Sequence, residues 1–122
     1  MTDTDERDRE LPLFLYGTLR KGASGEDVLA KDVVRRAPAR ARARLLDLKA
    51  PYPGAVFGPD EGWLDGEIVW LAPARFRAAL DRVDEYENVP FLFRRIVVDV
   101  ETEGRTVAAW AFSYTHGSHT IR

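Results

Sequence analysis

Asp84, Glu85 and Glu87 crowd the end of the segment PARFRAALDRVDEYE, and Pro90 follows three residues later. Phe76, Ala79, Leu80 and Val83 recur at helical spacing, and Pro73 suits a first helical turn, so the segment reads as an amphipathic helix. Pro90 keeps Val89 out of helical conformation and stops the helix at or before Asn88. The acids then separate by geometry. Four residues beyond Val83, Glu87 falls on the line of the apolar stripe, while Glu85 points away. An acid continuing a buried stripe is unusual. Burial would raise its pKa toward the range in which a carboxyl both takes and gives protons near neutrality. If the helix frays by Glu87, the side chain is simply wet.

A second group of chemical interest is LPLFLYGTLRKGAS, from Leu11 to Ser24. Gly17 to Ser24 matches G-x-x-x-x-G-K-S except that Ala23 stands in place of the lysine. That lysine meets the phosphates of a nucleotide, so its loss removes the motif's main charge. What remains is an apolar strand running into Gly17. Such a turn exposes consecutive backbone N–H groups suited to an anion or carboxylate, or it is a plain strand-to-loop connection.

Other candidates are weaker. His116 and His119 have H-x-x-H spacing near the C-terminus, but no further ligands or supporting shell accompany them, so no metal is expected. Ser24, Ser113 and Ser118 lack a nucleophile-elbow context. The chain has no cysteine, which excludes disulfides, thiolate metal sites and a cysteine nucleophile. Arg35, Arg36, Arg40, Arg42 and Arg44 could form a phosphate-binding stripe. Alanine and arginine alternate from Ala37, however, which a strand with alanines inward and arginines in solvent explains. No aromatic residues interleave with them in the sequence to stack on bases, so nucleic acid is not expected as a partner.

The elements that must position these residues follow from composition and periodicity. At 122 residues, 45% hydrophobic and 31% charged, the chain suits one soluble domain. Net charge is −2, and the first ten residues contribute −3 of it, leaving the rest close to neutral. No apolar run approaches the ~20 residues of a membrane helix, and the N-terminus has no apolar signal region, so a cytoplasmic location is expected. Residues 1–10 read as a disordered tail, 11–115 as one domain and 116–122 as a polar tail. Within the domain, Leu11–Tyr16 reads as a buried strand and Gly25–Val33 as a short helix capped by Ser24. Ala37–Leu48 reads as a strand, Tyr52-Pro53-Gly54 as a turn, and Trp63–Leu71 as a strand with Gly66 at a bulge or close approach. After the long helix, Phe91–Val100 and Arg105–Tyr114 form a hairpin across Glu103-Gly104. This order predicts an α+β fold with a mixed or antiparallel sheet curled into a barrel.

The two groups together resemble the γ-glutamylcyclotransferase-like, or AIG2-like, family. Its pattern is Y-G-[ST]-L near the N-terminus, then L-D-x-[YF]-E-G followed by Y-x-R. Here Tyr16-Gly17-Thr18-Leu19 and Val83-Asp84-Glu85-Tyr86-Glu87 occupy these positions, with Arg94 or Arg95 following. Tyr52-Pro53 and Gly66-Glu67 also sit where the family tends to have "YP" and "GE". The resemblance covers roughly residues 11–115. It implies a small β-barrel flanked by helices, with a pocket in which the Tyr16–Leu19 loop holds a γ-glutamyl group through backbone amides. It implies Glu87 as the catalytic general base and acid. Tyr16 and Tyr114 would add hydroxyls, with no metal and no cofactor. The implied reaction converts a γ-glutamyl compound to 5-oxoproline and releases an amine or amino acid. The alternative is a non-catalytic module binding a carboxylate-bearing ligand in the same pocket. Asn88, Phe93 and Phe112 depart from the family's usual glycine and tyrosines.

Overall fold

The computed structural model describes residues 10–16, 29–46, 54–86, 89 and 93–114. They form six strands and one α-helix: β1 Leu13–Leu15, β2 Val33–Leu46, β3 Gly54–Phe57, β4 Trp63–Leu71, α1 Phe76–Tyr86, β5 Phe93–Thr102 and β6 Arg105–Tyr114. The sheet order is β3-β2-β4-β1-β6-β5, and β2 also pairs β5. Five strands therefore close into a barrel, with β3 added on the outer reach of β2. All pairings are antiparallel except β1 with β6, which run parallel through Leu13 and Trp110.

The alanine–arginine alternation is what makes the barrel possible. Ala37, Ala39, Ala41 and Ala43 are buried while Arg40, Arg42 and Arg44 are exposed. A barrel of five strands has a narrow bore, and small side chains on β2 leave room for the Phe14 ring and Ile68. Ala109 and Ala111 of β6 serve the same end. A second apolar layer lies between the barrel and α1, where Leu13, Leu15, Val69, Trp110 and Phe112 meet Phe76, Leu80 and Val83. Successive residues of β1 thus supply opposite layers, as strand geometry requires.

Three local devices support this arrangement. Pro38 lies inside β2, and its carbonyl accepts a hydrogen bond from the Thr102 hydroxyl at 2.8 Å. The pairing of β2 with β5 extends only over Arg40 and Ala41, so the N–H that proline lacks is missing where the ladder has already lapsed. Asp32 is almost fully buried. Its carboxylate pairs with Arg82 of α1 and with Arg75, 3.2 Å away, and its carbonyl accepts from Ala72 N–H. These bonds tie the start of β2 to the approach and body of α1. The β5–β6 hairpin turns on Glu103 and Gly104, with φ of 52° and 79°, as a two-residue turn of the I′ type needs.

A Cβ at Gly104 would meet nothing within 4 Å. Gly104→Ala therefore costs only the left-handed conformational penalty, about 1–2 kcal/mol, read as a lower denaturant midpoint with an unchanged slope.

Some boundaries differ from the sequence reading. Val33 begins β2 rather than ending a helix, and Ala30–Asp32 is a single 3-10 turn. Buried Asp32 draws the chain into the ion cluster, and Val33 then pairs Leu71. Residues 17–28, including Ser24 and most of the expected helix, lie outside the described residues. Gly54 belongs to β3, paired with Leu46, instead of closing a turn. Pro73–Arg75 forms a 3-10 turn ahead of the α-helix proper.

Candidate active site

One end of the barrel gathers the described residues that flank the two motifs read from the sequence. Toward that end β2 leaves β5 after Ala41 and pairs β3 from Ala43 onward. The barrel is splayed there, between β3 on one side and the first half of β5 on the other. At the same end β1 finishes at Leu15, β6 finishes at Tyr114 and β5 begins at Phe93, opposite Tyr114.

Tyr16 stands at this opening. Its ring packs against Phe57 of β3, with centroids 5.8 Å apart, and against Phe14 below, at 6.4 Å. Its hydroxyl donates to the Phe112 carbonyl at 2.7 Å. That bond ties the last described residue before Gly17 to β6. Tyr114 lies at the same end on the other face of the sheet, edge-on to Phe93 at 5.5 Å.

The end of α1 reaches the same place through an ion pair. Arg95 of β5 bonds both carboxylate oxygens of Asp84, at 2.9 and 3.0 Å. Its guanidinium lies 4.4 Å from the centre of the Trp110 ring. Arg95 is in register with Phe112, the residue that receives the Tyr16 hydroxyl bond. A continuous set of contacts therefore runs from Tyr16 through Phe112 and Arg95 to Asp84. The Val89 N–H closes back on the Asp84 carbonyl at 2.9 Å. Glu87 and Asn88 lie within that closure in sequence. Gly17, Thr18, Leu19, Glu87 and Asn88 themselves lie outside the described residues, as do Tyr52, Pro53, His116, Ser118 and His119.

Gly66 holds β1 and β4 together beside the opening. A Cβ there would lie 2.4 Å from the Leu15 carbonyl oxygen and 2.8 Å from the Phe14 ring. The close approach read from the sequence is confirmed, and the next residue, Glu67, pairs with Arg36 at 2.7 Å across the sheet. Phe93 and Phe112, which depart from the family's tyrosines, are both buried beneath α1.

Sequence reasoning did not find the Asp84–Arg95 pair, though one signal was available. Acids in the last turn of a helix oppose its dipole and call for a cation from elsewhere. It also left open which of Arg94 and Arg95 matters. Arg94 is exposed and Arg95 turns inward. The arginine face is self-neutralised: Arg35, Arg36, Arg40 and Arg44 reach Glu103, Glu67, Glu101 and Glu61. Aromatic neighbours do come, from β4 rather than from β2, with Trp63 under Arg40 and Arg42 and Trp70 under Arg35.

Among the described residues, no group of three or more Asp, Glu, His or Cys side chains could hold a metal ion. No helix there is long and apolar enough to cross a membrane.

A family model described as γ-glutamyl cyclotransferase, AIG2-like, matches residues 13–121. A γ-glutamylaminecyclotransferase of Bos taurus is 29% identical over 126 aligned positions, covering 94% of this chain and 71% of the relative. The Homo sapiens protein of that name is 31% identical over 100 positions, covering 73% of this chain and 61% of the relative. The crystal structure of an AIG2-like protein from Mus musculus superposes with a TM-score of 0.69 at 19% identity, over 87% of this chain and 78% of that one. The matched span takes in both motifs, Tyr16–Leu19 and Val83–Glu87, and nearly all of the barrel that brings their described ends together: the chain belongs to the γ-glutamyl cyclotransferase, AIG2-like family.

Proposed function

We propose that the protein is a γ-glutamylcyclotransferase that closes a γ-glutamyl group to 5-oxoproline and releases its amine, with Glu87 moving the proton. The observation that supports this reading most is the chain of contacts linking Tyr16 to Asp84 at the splayed end of the barrel. The two motifs are far apart in sequence, and their described ends are linked there through Phe112 and Arg95. The relatives named γ-glutamylaminecyclotransferase point to γ-glutamyl amines as the first substrates to try.

The reaction asks little of the protein beyond position and proton transfer. The substrate's α-amine attacks its own γ-carbonyl, so holding the curled conformer supplies much of the rate. In this reading the α-ammonium first gives one proton to solvent. As the new C–N bond forms, the Glu87 carboxylate takes the second proton from the attacking nitrogen. The carboxyl then passes it to the leaving nitrogen as the old C–N bond breaks, and the freed amine picks up a proton from water. Backbone N–H groups of Gly17, Thr18 and Leu19 are the proposed donors to the substrate carboxylate and the developing oxyanion. Gly17 allows the close backbone approach that this requires. The Tyr16 and Tyr114 hydroxyls are the proposed further polar contacts to substrate.

Incubation with a panel of γ-glutamyl amino acids and γ-glutamyl amines tests the proposal, with 5-oxoproline as the readout. Turnover of at least one member is expected, with amine and 5-oxoproline formed in equal amounts. Silence across the panel, with saturable binding of the same compounds, would instead establish a carboxylate-binding module.

A further inference from the structure

The last turn of α1 breaks a local rule. It contains Asp84 and Glu85 and no basic residue, although a helix C-terminus favours cations. The cation comes from another element. Arg95 on β5 grips Asp84 with two parallel bonds, and its side chain is only 9% exposed. Trp110 covers the guanidinium face. Such a fork fixes direction as well as charge, because both partners are planar and both bonds must be made together. The same residue is held by its backbone too, since the Asp84 carbonyl accepts the Val89 N–H.

The geometry points to Asp84 and Arg95 as positioning residues that set the path of the chain leaving α1, and with it the carboxyl of Glu87. This rests on Glu87 being the proton-transfer group. Glu87 stands three positions after Asp84 and two before Val89, so residues held by these bonds flank it on both sides in sequence. A displacement of about 1 Å at a reacting group can cost about a hundredfold in rate, so an anchor of this kind affects turnover without touching substrate. Arg95 contributes its planar fork. A lysine there would keep the charge and lose the two-bond geometry.

Two measurements on Arg95→Lys and Asp84→Asn test this, one of them independent of catalysis. The first is amide exchange at Val89, with the Trp110 N–H as the barrel reference, since it bonds the Pro12 carbonyl at 2.8 Å. Val89 should exchange about tenfold faster in both variants while Trp110 keeps its protection. The second is steady-state kinetics on a substrate from the panel, where kcat should fall about tenfold or more with KM within about twofold. The proposal is overturned if Val89 protection is unchanged in both variants, or if it loosens while kcat holds. It is equally overturned if Val89 and Trp110 lose protection together in both, because the pair would then be serving the fold as a whole. Failure of the underlying reading looks different. Glu87→Gln would retain turnover, whatever Val89 does.

Discussion

Glu87→Gln is expected to lower kcat for 5-oxoproline formation by about a thousandfold, the scale of losing a positioned general base and acid, with the fold retained. The substitution keeps the size and most of the hydrogen-bonding capacity of the side chain. It removes only the ability to accept and return a proton. Ring closure held in the curled conformer would continue slowly, because the attacking amine and the γ-carbonyl remain on one molecule. Residual turnover above the uncatalysed rate is therefore expected, with KM changed little. Circular dichroism and a melting curve matching those of the parent would separate lost chemistry from lost structure. Retention of parental kcat on a confirmed substrate would remove Glu87 from the mechanism.

The largest effect on stability is expected at Gly66. A single added methyl would meet the Leu15 carbonyl oxygen at 2.4 Å, well inside any tolerated contact, with the Phe14 ring at 2.8 Å on the same side. Neither neighbour can withdraw cheaply. The carbonyl belongs to β1, paired to β4 and to β6, and the ring fills the barrel bore. Gly66→Ala should cost about 3 kcal/mol through overpacking, or roughly 10–15 °C in Tm for a chain of this size. Gly62→Ala is the matched control, since a Cβ there has nothing within 4 Å. A Gly66→Ala protein that melts with the parent would mean that β1 and β4 are not in contact as described.

Side-chain periodicity made much of the fold legible. The alternation from Ala37 onward assigned the inner and outer faces of β2 correctly, because a narrow barrel admits only small residues inside. Trp63–Leu71 and Arg105–Tyr114 were read at their observed limits, and Glu103-Gly104 was read as the turn between strands. The readings that failed concern residues whose partners are distant in sequence. Asp32 falls within the short helix read over Gly25–Val33, whereas Arg75 and Arg82 draw it into an ion cluster from the other side of the fold. Val33 looks helical until Leu71 pairs with it. The outer arginines looked free of aromatic company because Trp63 and Trp70 stand on the neighbouring strand.

The candidate site rests on signals of a different kind. Tyr16–Leu19 and Glu87 were singled out by a strand running into glycine and by an acid on an apolar line. The family motif then joined them. What no periodicity could supply was the link between them. Tyr16 reaches Phe112 through a carbonyl, which any residue carries, and Asp84 reaches Arg95 through a choice between two adjacent arginines. Only strand register decides such contacts.

The parallel pairing of β1 with β6 has a consequence for how the molecule comes into being. Leu13 lies beside Trp110, almost at the opposite end of the described chain. β1 also pairs β4, but its other edge waits for β6, and β5 has only β6 and a short stretch of β2 to hold it. During synthesis on the ribosome the barrel therefore cannot close until Tyr114 has emerged from the exit tunnel. Until then β1 exposes one unpaired edge and the apolar layer meant for α1 lacks Trp110 and Phe112. Closure joins the most distant strands last, a high-contact-order step expected to be slow. The nascent chain is most exposed to aggregation just before its final described strand is made.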